Sequence, residues 1–386
     1  MPVLSEPAES LLARGFSRRQ LGRIAGVLTA GAAFPFYNEF AMAQQAERRM
    51  RGGMGGGFAP DAVRINQNEN PMGPSKEGLD AMMKAAPTAW RYGGAGEQGD
   101  LVRAIADTEG VGTDRIAVFA GSSDPLFRSQ CAFTSPTRSW TMAEPGYGGG
   151  APMFIGSKLT RVPLRDDYAH DGAAMIKADP GAGAYYICNP NNPTGTLTPR
   201  KDIDYLLAHK SKDAVLVIDE AYIHFTENAT PSNDLVTAGK DVIVLRTFSK
   251  IFGMAGIRAG FAMGRPDLLG KLRQFGAGFL PIPSLACAAA SLKAKNLVTE
   301  RRALNRRNRE DTFEFLEKKG VKYIPSEANF FMMEVNRPGN EFAQAMAAQK
   351  VIIGRIWQAW PTKVRVTVGS QDDMAKFKEA FAKVWA

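Results

Sequence analysis

Short apolar runs alternate with amphipathic segments from Leu101 to about Ala262 of this chain. Apolar runs of this length are typical of strands that are buried on both faces of a parallel sheet. The segments between them favour helices, which would cover such a sheet. The pattern therefore predicts an α/β domain with a mainly parallel sheet. The clearest strand-like runs are Ile116–Phe119, Tyr185–Cys188, Val215–Ile218 and Val242–Leu245.

The C-terminal part of the chain has a different pattern. Leu285–Lys318 favours a long helical passage that links two domains. After it, Phe330–Glu334 and Val364–Val368 favour strands, and Glu341–Gln349 favours a helix. This mixture predicts a smaller α+β domain beside the parallel sheet.

The N-terminus has the features of an export signal. Arg18 and Arg19 precede a mildly apolar run, Ile24–Phe36, and Ala41–Ala43 fits an A-x-A cleavage site. The apolar run is too short to span a bilayer comfortably. The pattern predicts that residues 1–43 are a twin-arginine signal peptide recognised by the Tat export machinery. The expected location is the periplasm, with the cytoplasm as the alternative.

A glycine-rich stretch follows the predicted signal. Arg51–Gly57 reads RGGMGGG, and residues 44–63 would form a flexible leader on the mature chain. No strand-like run precedes this stretch, so we do not expect it to be a phosphate-binding loop.

Composition limits the classes of protein to consider. The chain has 386 residues, of which 45% are hydrophobic and 23% charged, so it is long enough for two globular domains. The net charge is +9, but the densest basic stretch, Arg301–Arg309, contains no aromatic residues. We therefore expect no nucleic-acid partner. The three cysteines and three histidines show no metal-ligand spacing, so no metal site is predicted.

Lys250 lies in the segment TFSKIFGMAGIRAG, directly after the strand-like run Val242–Leu245. A lysine in such a place can lose its proton and attack a carbonyl. Thr247, Ser249 and Arg258 are close to it in sequence and can hold a phosphate. A carbonyl cofactor that carries a phosphate is pyridoxal phosphate, which needs a Schiff-base lysine.

Pyridoxal phosphate also needs an acid beside its pyridine nitrogen. Asp219 directly follows the strand-like run Val215–Ile218. A carboxylate at the end of a parallel strand lies where open α/β sheets bind ligands. The alternative for Asp219 is a solvated acid in the turn that ends the strand.

A third motif, NPNNPTG at Asn189–Gly195, follows the strand-like run Tyr185–Cys188. Its prolines and glycine end the strand and force a loop. The loop can present an asparagine amide to the phenolate oxygen of a pyridoxal ring. An ordinary Asn/Pro turn is the simpler alternative.

NPNNPTG, then DEAY, then TFSK with an arginine eight residues after the lysine resemble the class I/II aminotransferases of the fold type I pyridoxal-phosphate family. The histidinol-phosphate aminotransferase branch is the most similar, and the resemblance covers roughly Arg64 to the C-terminus. It implies a large cofactor-binding domain at 94–284 and a small α+β domain made of 64–93 and 285–386. It also implies transamination between an amino acid, or an amine, and a 2-oxo acid.

The resemblance implies a role for each central residue. Lys250 would form the internal aldimine and later move the proton between substrate and cofactor, and Asp219 would pair with the pyridinium nitrogen. Asn192 and Tyr222 would hydrogen-bond the phenolate oxygen. Tyr147, in the segment EPGY, would stack on the ring, with a core tyrosine as the alternative.

The resemblance places the cofactor phosphate against Ser249 and Arg258, with Thr247 as a further candidate. Ser122 and Ser123 lie in a turn that opens a helical segment, where backbone amides and the helix dipole favour an anion. The family commonly has Gly-Ser-Asp-Glu at this turn, whereas this chain has Gly-Ser-Ser-Asp. Binding through backbone amides tolerates that change.

Arg365, in the half-buried strand Val364–Val368, matches the arginine that binds the substrate α-carboxylate. We assign Asn329 to the substrate site as well. Tyr92 matches a tyrosine that reaches the cofactor phosphate of the neighbouring subunit, although Gly93 replaces the usual proline. A monomer would then have an incomplete site, so the resemblance implies a homodimer.

Two positions depart from the histidinol-phosphate branch. In that branch an arginine after a Gly-Val-Ile-Val-type strand helps to hold the distal phosphate, and Arg355 lies one residue later here. A shift of one residue in a strand turns the side chain to the other face. Met72 occupies the usual aromatic position after NENP. The sequence therefore predicts a donor other than histidinol phosphate. Histidinol phosphate stays the alternative donor, and Arg355 stays a candidate substrate ligand.

Two other functions share these motifs. A decarboxylase that resembles threonine-phosphate decarboxylase, or a β-lyase, would also use Lys250, Asp219 and Arg365, and only dependence on a 2-oxo acid separates it from a transaminase. The other is a non-catalytic regulator that binds pyridoxal phosphate. Such regulators commonly carry an attached DNA-binding domain, whereas a signal-like leader and a glycine-rich stretch precede this fold, so an enzyme is expected.

Overall fold

The computed structural model describes residues 5–30, 59, 61–92, 95–276 and 280–385. The helices are α1 Ser5–Ala13, α2 Arg18–Ala30, α3 Lys76–Ala85, α4 Ala95–Glu109, α5 Ser123–Phe133, α6 Gly150–Ile155, α7 Gly172–Ala178, α8 Arg200–His209, α9 Asn233–Thr237, α10 Pro266–Arg273, α11 Ile282–Lys293, α12 Leu297–Lys318, α13 Gly339–Ala348 and α14 Gln371–Val384. The strands are β1 Val63–Arg64, β2 Ile116–Phe119, β3 Trp140–Glu144, β4 Leu159–Pro163, β5 Ala184–Cys188, β6 Val215–Asp219, β7 Val242–Thr247, β8 Gly260–Gly264, β9 Tyr323–Ile324, β10 Phe330–Glu334, β11 Val351–Ile352 and β12 Lys363–Thr367.

The largest sheet of the described residues has seven strands in the order β2-β8-β7-β6-β5-β3-β4. The strands from β7 to β4 run parallel to their neighbours. Strand β8 runs antiparallel to both β2 and β7. All residues of β5, β6 and β7 are buried, as expected for apolar strands that helices cover on both faces. The predicted α/β fold with a mainly parallel sheet is confirmed.

The carboxyl ends of the parallel strands bring the polar motifs to one edge of the sheet. Asp219 ends β6 and pairs with Cys188 of β5, while the same strand pairs Asp219 with Leu245 of β7 on its other side. The loops that lead to Asn192 and to Lys250 therefore start beside Asp219. This is the edge at which open α/β sheets bind ligands.

Buried apolar side chains form two large clusters. The larger surrounds the seven-stranded sheet and includes Leu285 and Ala288 of α11, with Met82 of α3 packed against it. The smaller is built on β1, β10, β11, β12, α13 and α14. Val63 belongs to it because β1 pairs with β11. Helix α3 falls in the predicted small domain and α11 crosses the predicted boundary at residue 284, yet both pack on the larger cluster. The domain boundaries around residues 94–284 therefore stay a prediction.

Helices α1 and α2 form an N-terminal hairpin that packs against the body of the protein. Leu11, Phe16 and Ile24 are buried in one cluster with side chains of α5, α6 and the turn after α10, namely Phe127, Cys131, Ala151, Ile155 and Phe275. Gln20 Nε2 donates to the backbone oxygen of Gly156 at 3.2 Å. Gly156 has φ +81°, a left-handed backbone conformation that favours glycine.

Arg14 attaches the hairpin to the end of α5. Its Nη2 donates to the backbone oxygen of Cys131 at 2.8 Å, and its Nη1 donates to those of Ala132 at 2.8 Å and Thr134 at 3.0 Å. These are carbonyls at the C-terminus of a helix, where a cation is favourable. The contact is therefore a specific cap and not only an apolar association.

Parts of the predicted signal peptide lie outside the described residues. These include the cleavage site Ala41–Ala43, and the glycine-rich stretch Arg51–Gly57 also lies there. Among the helices that the structure describes, none is both long and apolar enough to cross a membrane. The signal peptide and its cleavage stay predictions.

The hairpin offers a matched pair of neighbouring leucines. Leu11 is 2% exposed and Leu12 is 42% exposed. Truncation of a buried leucine to alanine costs about 2–5 kcal/mol, and a terminal hairpin can open without unfolding the rest. We expect trypsin to cleave α2 at least about tenfold faster in Leu11→Ala than in the wild type. Leu12→Ala should be cleaved at the wild-type rate, and equal cleavage of the two variants would show that the hairpin does not dock.

Candidate active site

Strand β7 delivers Lys250 to the carboxyl edge of the sheet. The side chain is buried, and its Nζ donates to the backbone oxygen of Gln67 at 3.2 Å. Nζ lies 5.5 Å from the centre of the Tyr222 ring. Thr247 Oγ1 accepts the Ser249 N–H at 3.0 Å and fixes the turn that leads to the lysine. The amine is thus held inside the protein and not on its surface.

Asp219 is buried at the end of β6. Its Oδ2 accepts the Tyr186 hydroxyl at 3.0 Å, and its Oδ1 accepts the Ala221 N–H at 3.1 Å. Burial raises the pKa of the Asp219 carboxyl to about 6, although these two hydrogen bonds and the nearby Lys250 oppose the shift. Burial removes the Asp219 carboxylate from water. A protonated ring nitrogen placed against it would supply a positive charge in place of that water.

A chain of hydrogen bonds links three of the predicted residues. Arg365 Nη1 donates to Asn192 Oδ1 at 2.9 Å, and Asn192 Nδ2 lies 3.5 Å from the Tyr222 hydroxyl. Asn68 Nδ2 donates to the same hydroxyl at 3.1 Å. The predicted substrate arginine is therefore coupled to both residues predicted on the phenolate oxygen.

Ser122, Ser123 and Arg258 surround a cradle at the N-terminus of α5. Arg258 Nη1 donates to Ser249 Oγ at 3.2 Å, and its Nη2 donates to the backbone oxygen of Ala120 at 3.0 Å, just before α5. Gly121 has φ +87°, and a Cβ there would lie 2.4 Å from Arg258 Nη2. Burial lowers the pKa of the Arg258 guanidinium, which a bound anion would offset. Free amides, hydroxyls and a cation together suit a phosphate.

These residues enclose a cavity of about 330 Å³. Every predicted cofactor-binding residue lines it apart from Tyr92. The lining residues are Gln67, Glu69, Ser122, Ser123, Tyr147, Cys188, Asn192, Asp219, Ala221, Tyr222, Thr247, Ser249, Lys250, Ala255, Gly256 and Arg258.

The predicted substrate residues lie outside this lining. Arg365 is fully buried behind Asn192, and its Nη2 donates to the backbone oxygen of Asn66 at 2.8 Å. Asn329 donates its amide to the backbone oxygen of Asn68 at 3.2 Å, so it orients that segment. Asn329 also lines a second, smaller cavity of about 230 Å³. The backbone oxygen of Arg355 accepts the Arg365 N–H at 3.0 Å, which places Arg355 beside β12.

Tyr92 lies on the surface of the chain. Its side chain is 87% exposed, and Trp90 nearby is 75% exposed. A single chain does not bring Tyr92 to the cavity, so its role across a subunit interface stays a prediction.

Several side chains at the site were not predicted from the sequence. Gln67 and Glu69 line the cavity, and Asn68 bonds Tyr222. The signal for them is the dense polar run NQNEN at Asn66–Asn70, which begins two residues after β1 ends. Tyr186 had no such signal, because its contact with Asp219 depends on how two strands pair.

The cavity fits an aromatic ring that carries a phosphate and an aldehyde. Its lining combines a buried carboxylate, a lysine and the phosphate cradle. Gly121, whose φ of +87° favours glycine, leaves room for the Arg258 guanidinium at the cradle. The donor set and the burial of Asp219 both suit pyridoxal phosphate.

Residues 60–381 match the family described as "Aminotransferase class I and II". The chain belongs to this family. Its relatives include histidinol-phosphate aminotransferases of Moorella thermoacetica, 30% identical over 84% of this chain and 86% of the relative, and of Dechloromonas aromatica, 35% identical over 83% of this chain and 89% of the relative. A solved structure of a putative histidinol-phosphate aminotransferase from Erwinia carotovora atroseptica aligns with a TM-score of 0.78 and 30% identity, covering 84% of this chain and 98% of that chain.

A second solved structure supports the same fold. The Sinorhizobium meliloti histidinol-phosphate aminotransferase in complex with pyridoxal-5'-phosphate aligns with a TM-score of 0.77 and 23% identity, over 92% of this chain and 95% of that chain. The predicted fold type I is thereby confirmed. The chain is a pyridoxal-phosphate-dependent aminotransferase. When bound, the cofactor supplies an aldehyde for the amino group and a ring that withdraws electrons from the substrate α-carbon.

The raised pKa of Asp219 predicts how the cofactor-free protein responds to pH. Because the folded-state pKa is about 6 and the ordinary value is 3.8, protonated Asp219 favours the folded state, and this contribution is lost as pH rises from about 4 through 6. The change is about 3 kcal/mol as an order of magnitude. Relative to Asp219→Asn, the wild-type free energy of unfolding should fall over this pH range, as measured by urea denaturation.

The difference in free energy of unfolding between the wild type and Asp219→Asn isolates Asp219, because the other carboxylates titrate equally in both proteins. A difference that stays constant between pH 4 and pH 7 would contradict the burial of an ionisable Asp219.

Proposed function

We propose that this aminotransferase takes nitrogen from a donor that carries an α-carboxylate and passes it to a 2-oxo acid. The observation that carries the proposal is Arg365, which is fully buried between the rings of Phe330 and Trp357, 5.5 and 5.6 Å from their centres. A buried guanidinium favours an anionic partner, and its planar fork matches a carboxylate. Asn192 holds one of its nitrogens in place.

The other residues would each act on the cofactor or the proton. Lys250 Nζ would take the proton from the substrate α-carbon and deliver it to the cofactor carbon. Asp219 would keep a proton on the ring nitrogen. Asn192 and Tyr222 would donate to the ring oxygen, and Tyr147 would cover one face of the ring.

The phosphate would be held by the cradle. Ser122 and Ser123 would offer backbone amides at the start of α5, while Ser249 and Arg258 would contribute a hydroxyl and the charge. Thr247 would act mainly through the turn that it makes with Ser249.

Histidinol phosphate is the second candidate donor, and the names of the relatives favour it. Two features of this chain argue for a different donor. Arg355 lies one residue beyond the position of the branch's phosphate-binding arginine, with its guanidinium 4.9 Å from the centre of the Trp357 ring. Met72 stands where the branch has an aromatic residue, and it is half exposed. A decarboxylase or a lyase would share Lys250 and Asp219 and differs in not needing a 2-oxo acid.

A panel of amino donors with 2-oxo acid acceptors tests this proposal. We expect an amino acid to be the best donor, and Arg365→Lys to lower kcat/KM for it about 10- to 100-fold, since a charged hydrogen bond contributes about 1.5–3 kcal/mol. Lys250→Ala should be inactive and should not be labelled when borohydride reduces the cofactor-loaded protein. Faster turnover of histidinol phosphate would contradict the donor class, and product formation without a 2-oxo acid would favour a decarboxylase or lyase.

We also propose that the protein is a homodimer with shared sites. Large apolar side chains are exposed on α3 and the turn after it, including Met83, Trp90 and Tyr92. An apolar patch of this kind marks an interaction surface, and a second copy of the chain is the partner that the Tyr92 match implies. Tyr92 would then complete the phosphate cradle of the other subunit.

Complementation tests the shared site. If Tyr92 and Lys250 act in one site from different chains, a mixed dimer of Tyr92→Phe and Lys250→Ala has one site with both changes and one with neither. Mixing the two impaired proteins should then restore activity. Tyr92→Phe must first be impaired alone, because one phosphate hydrogen bond contributes only about 1–3 kcal/mol. A stable, active monomer in sedimentation would rule out the dimer.

We propose that the chain is exported by the twin-arginine route. Arg18 and Arg19 are exposed at the start of α2, where export components could bind them. Ile24, the first residue of the apolar run, is buried against the body of the protein. Export would therefore require the hairpin to separate from the folded enzyme before residues 1–43 are removed.

Paired substitution of the arginines tests the route. Arg18→Lys with Arg19→Lys keeps the charge, so the cofactor site and the docked hairpin should be unaffected. We expect the precursor to stay in the cytoplasm, as judged by cell fractionation and by the length of the chain. Unchanged export would indicate another route, and a wild-type protein found only in the cytoplasm with its N-terminus intact would overturn the export proposal.

A further inference from the structure

Trp357 connects two parts of the protein that the substrate would touch. It lies between β11 and β12 and is buried against Ile324 and Met332. Its Nε1 donates to the backbone oxygen of Gly146 at 3.0 Å. Gly146 directly precedes Tyr147, whose ring lines the cofactor cavity. One indole N–H thus ties the β11–β12 segment to the loop that carries the stacking residue.

The same indole contacts both arginines that the sequence associates with the substrate. The guanidinium carbon of Arg355 lies 4.9 Å from the ring centre, and that of Arg365 lies 5.6 Å from it. Tryptophan is the strongest aromatic partner for a cation, and the interaction is larger when the pair is removed from water. Because both cations share one ring, a shift of Trp357 would move both.

Trp360 lies on the same turn and packs against the same apolar cluster, but its ring and polar contacts differ. Its backbone N–H donates to the Trp357 backbone oxygen at 2.9 Å. Its ring packs edge-to-face with the Tyr168 ring, with 5.7 Å between the two ring centres. Its ring also faces the ammonium of Lys363. Trp360 therefore offers a control of the same residue type in the same segment.

We propose that Trp357 is a positioning residue that sets the affinity for the substrate carboxylate by holding Arg365 and Arg355 on its ring and by fixing the Tyr147 loop through Gly146. This inference rests on the proposed function, since it takes Arg365 as the carboxylate ligand. It assigns to Trp357 a role in substrate binding and not in proton transfer, which remains with Lys250.

Two substitutions separate the contacts of the indole. Trp357→Phe keeps an aromatic face, though a weaker one, and loses the hydrogen bond to Gly146. Trp357→Leu loses both. We expect KM for the best amino donor and for the 2-oxo acid to rise about threefold in Trp357→Phe and about tenfold or more in Trp357→Leu, with a smaller change in kcat.

Two binding measurements accompany the kinetics. Titration of the cofactor-free proteins should show a Kd for pyridoxal phosphate about threefold higher in both variants, because the Tyr147 loop is released. Binding of maleate, a non-reactive dicarboxylate, to the cofactor-loaded proteins should weaken in the same order as KM. Trp360→Phe should match the wild type in all of these measurements.

A purely structural role would give a different result, since a smaller folded fraction lowers apparent kcat and leaves KM and Kd unchanged. Unchanged KM, maleate affinity and cofactor Kd in Trp357→Phe would overturn the proposal, even if Trp357→Leu fails to fold. An equal effect of Trp360→Phe would also overturn it. A wild type that turns over no carboxylate donor would instead contradict the proposed function, and maleate binding would still decide the role of Trp357.

Discussion

Burial of ionisable side chains at the carboxyl edge of the sheet is the constraint on which the rest of the site depends. Removing a charge from water is costly unless hydrogen bonds or an opposite charge replace the water. Asp219 receives hydrogen bonds from a tyrosine hydroxyl and a backbone N–H, and Arg365 donates to an asparagine oxygen and a backbone oxygen. These partners keep the groups in place, while the raised pKa of Asp219 shows that compensation is incomplete. A cationic ring nitrogen would complete it.

A second set of buried charges supports the carboxyl edge of the sheet on the side opposite the cavity. Arg246 donates to Glu220 Oε2 at 2.9 and 2.7 Å and also bonds Glu109. Arg246 precedes Thr247, and Glu220 follows Asp219. Since successive strand residues point to opposite faces, the cavity residues and the ion network lie on opposite sides of the same strand ends. Breaking a buried network of this kind typically costs about 3–5 kcal/mol, so the network favours a single position for Asp219 relative to Lys250.

The parts of the site that are local in sequence were predictable from it. A buried strand followed by a polar loop recurs at β2, β5, β6 and β7. Parallel pairing brings the carboxyl ends of β5, β6 and β7 together, and two antiparallel pairings through β8 place the end of β2 at the same edge. Contacts that depend on distant segments were not predictable in this way. Tyr186 reaches Asp219 across a strand pair, and Trp357 reaches Gly146 over a separation of 211 residues. For Asn329 and Arg355 the position was predicted near the site, but the direction of the side chain depends on packing that no local pattern encodes.

The same distinction applies to the N-terminal hairpin, whose sequence has the pattern of a leader and whose contacts are those of an integrated element. Helix α5 contacts both the cofactor cavity and the hairpin. Its first turn lies at the phosphate cradle, where free amides and the positive end of the helix dipole favour an anion, and its last carbonyls accept the Arg14 guanidinium. A phosphate bound at one end would stabilise the same helix dipole that the Arg14 cation stabilises at the other. Cofactor binding and hairpin docking therefore both favour an ordered α5, and a chain that has lost the hairpin would rely on water to satisfy the carbonyls at its C-terminus.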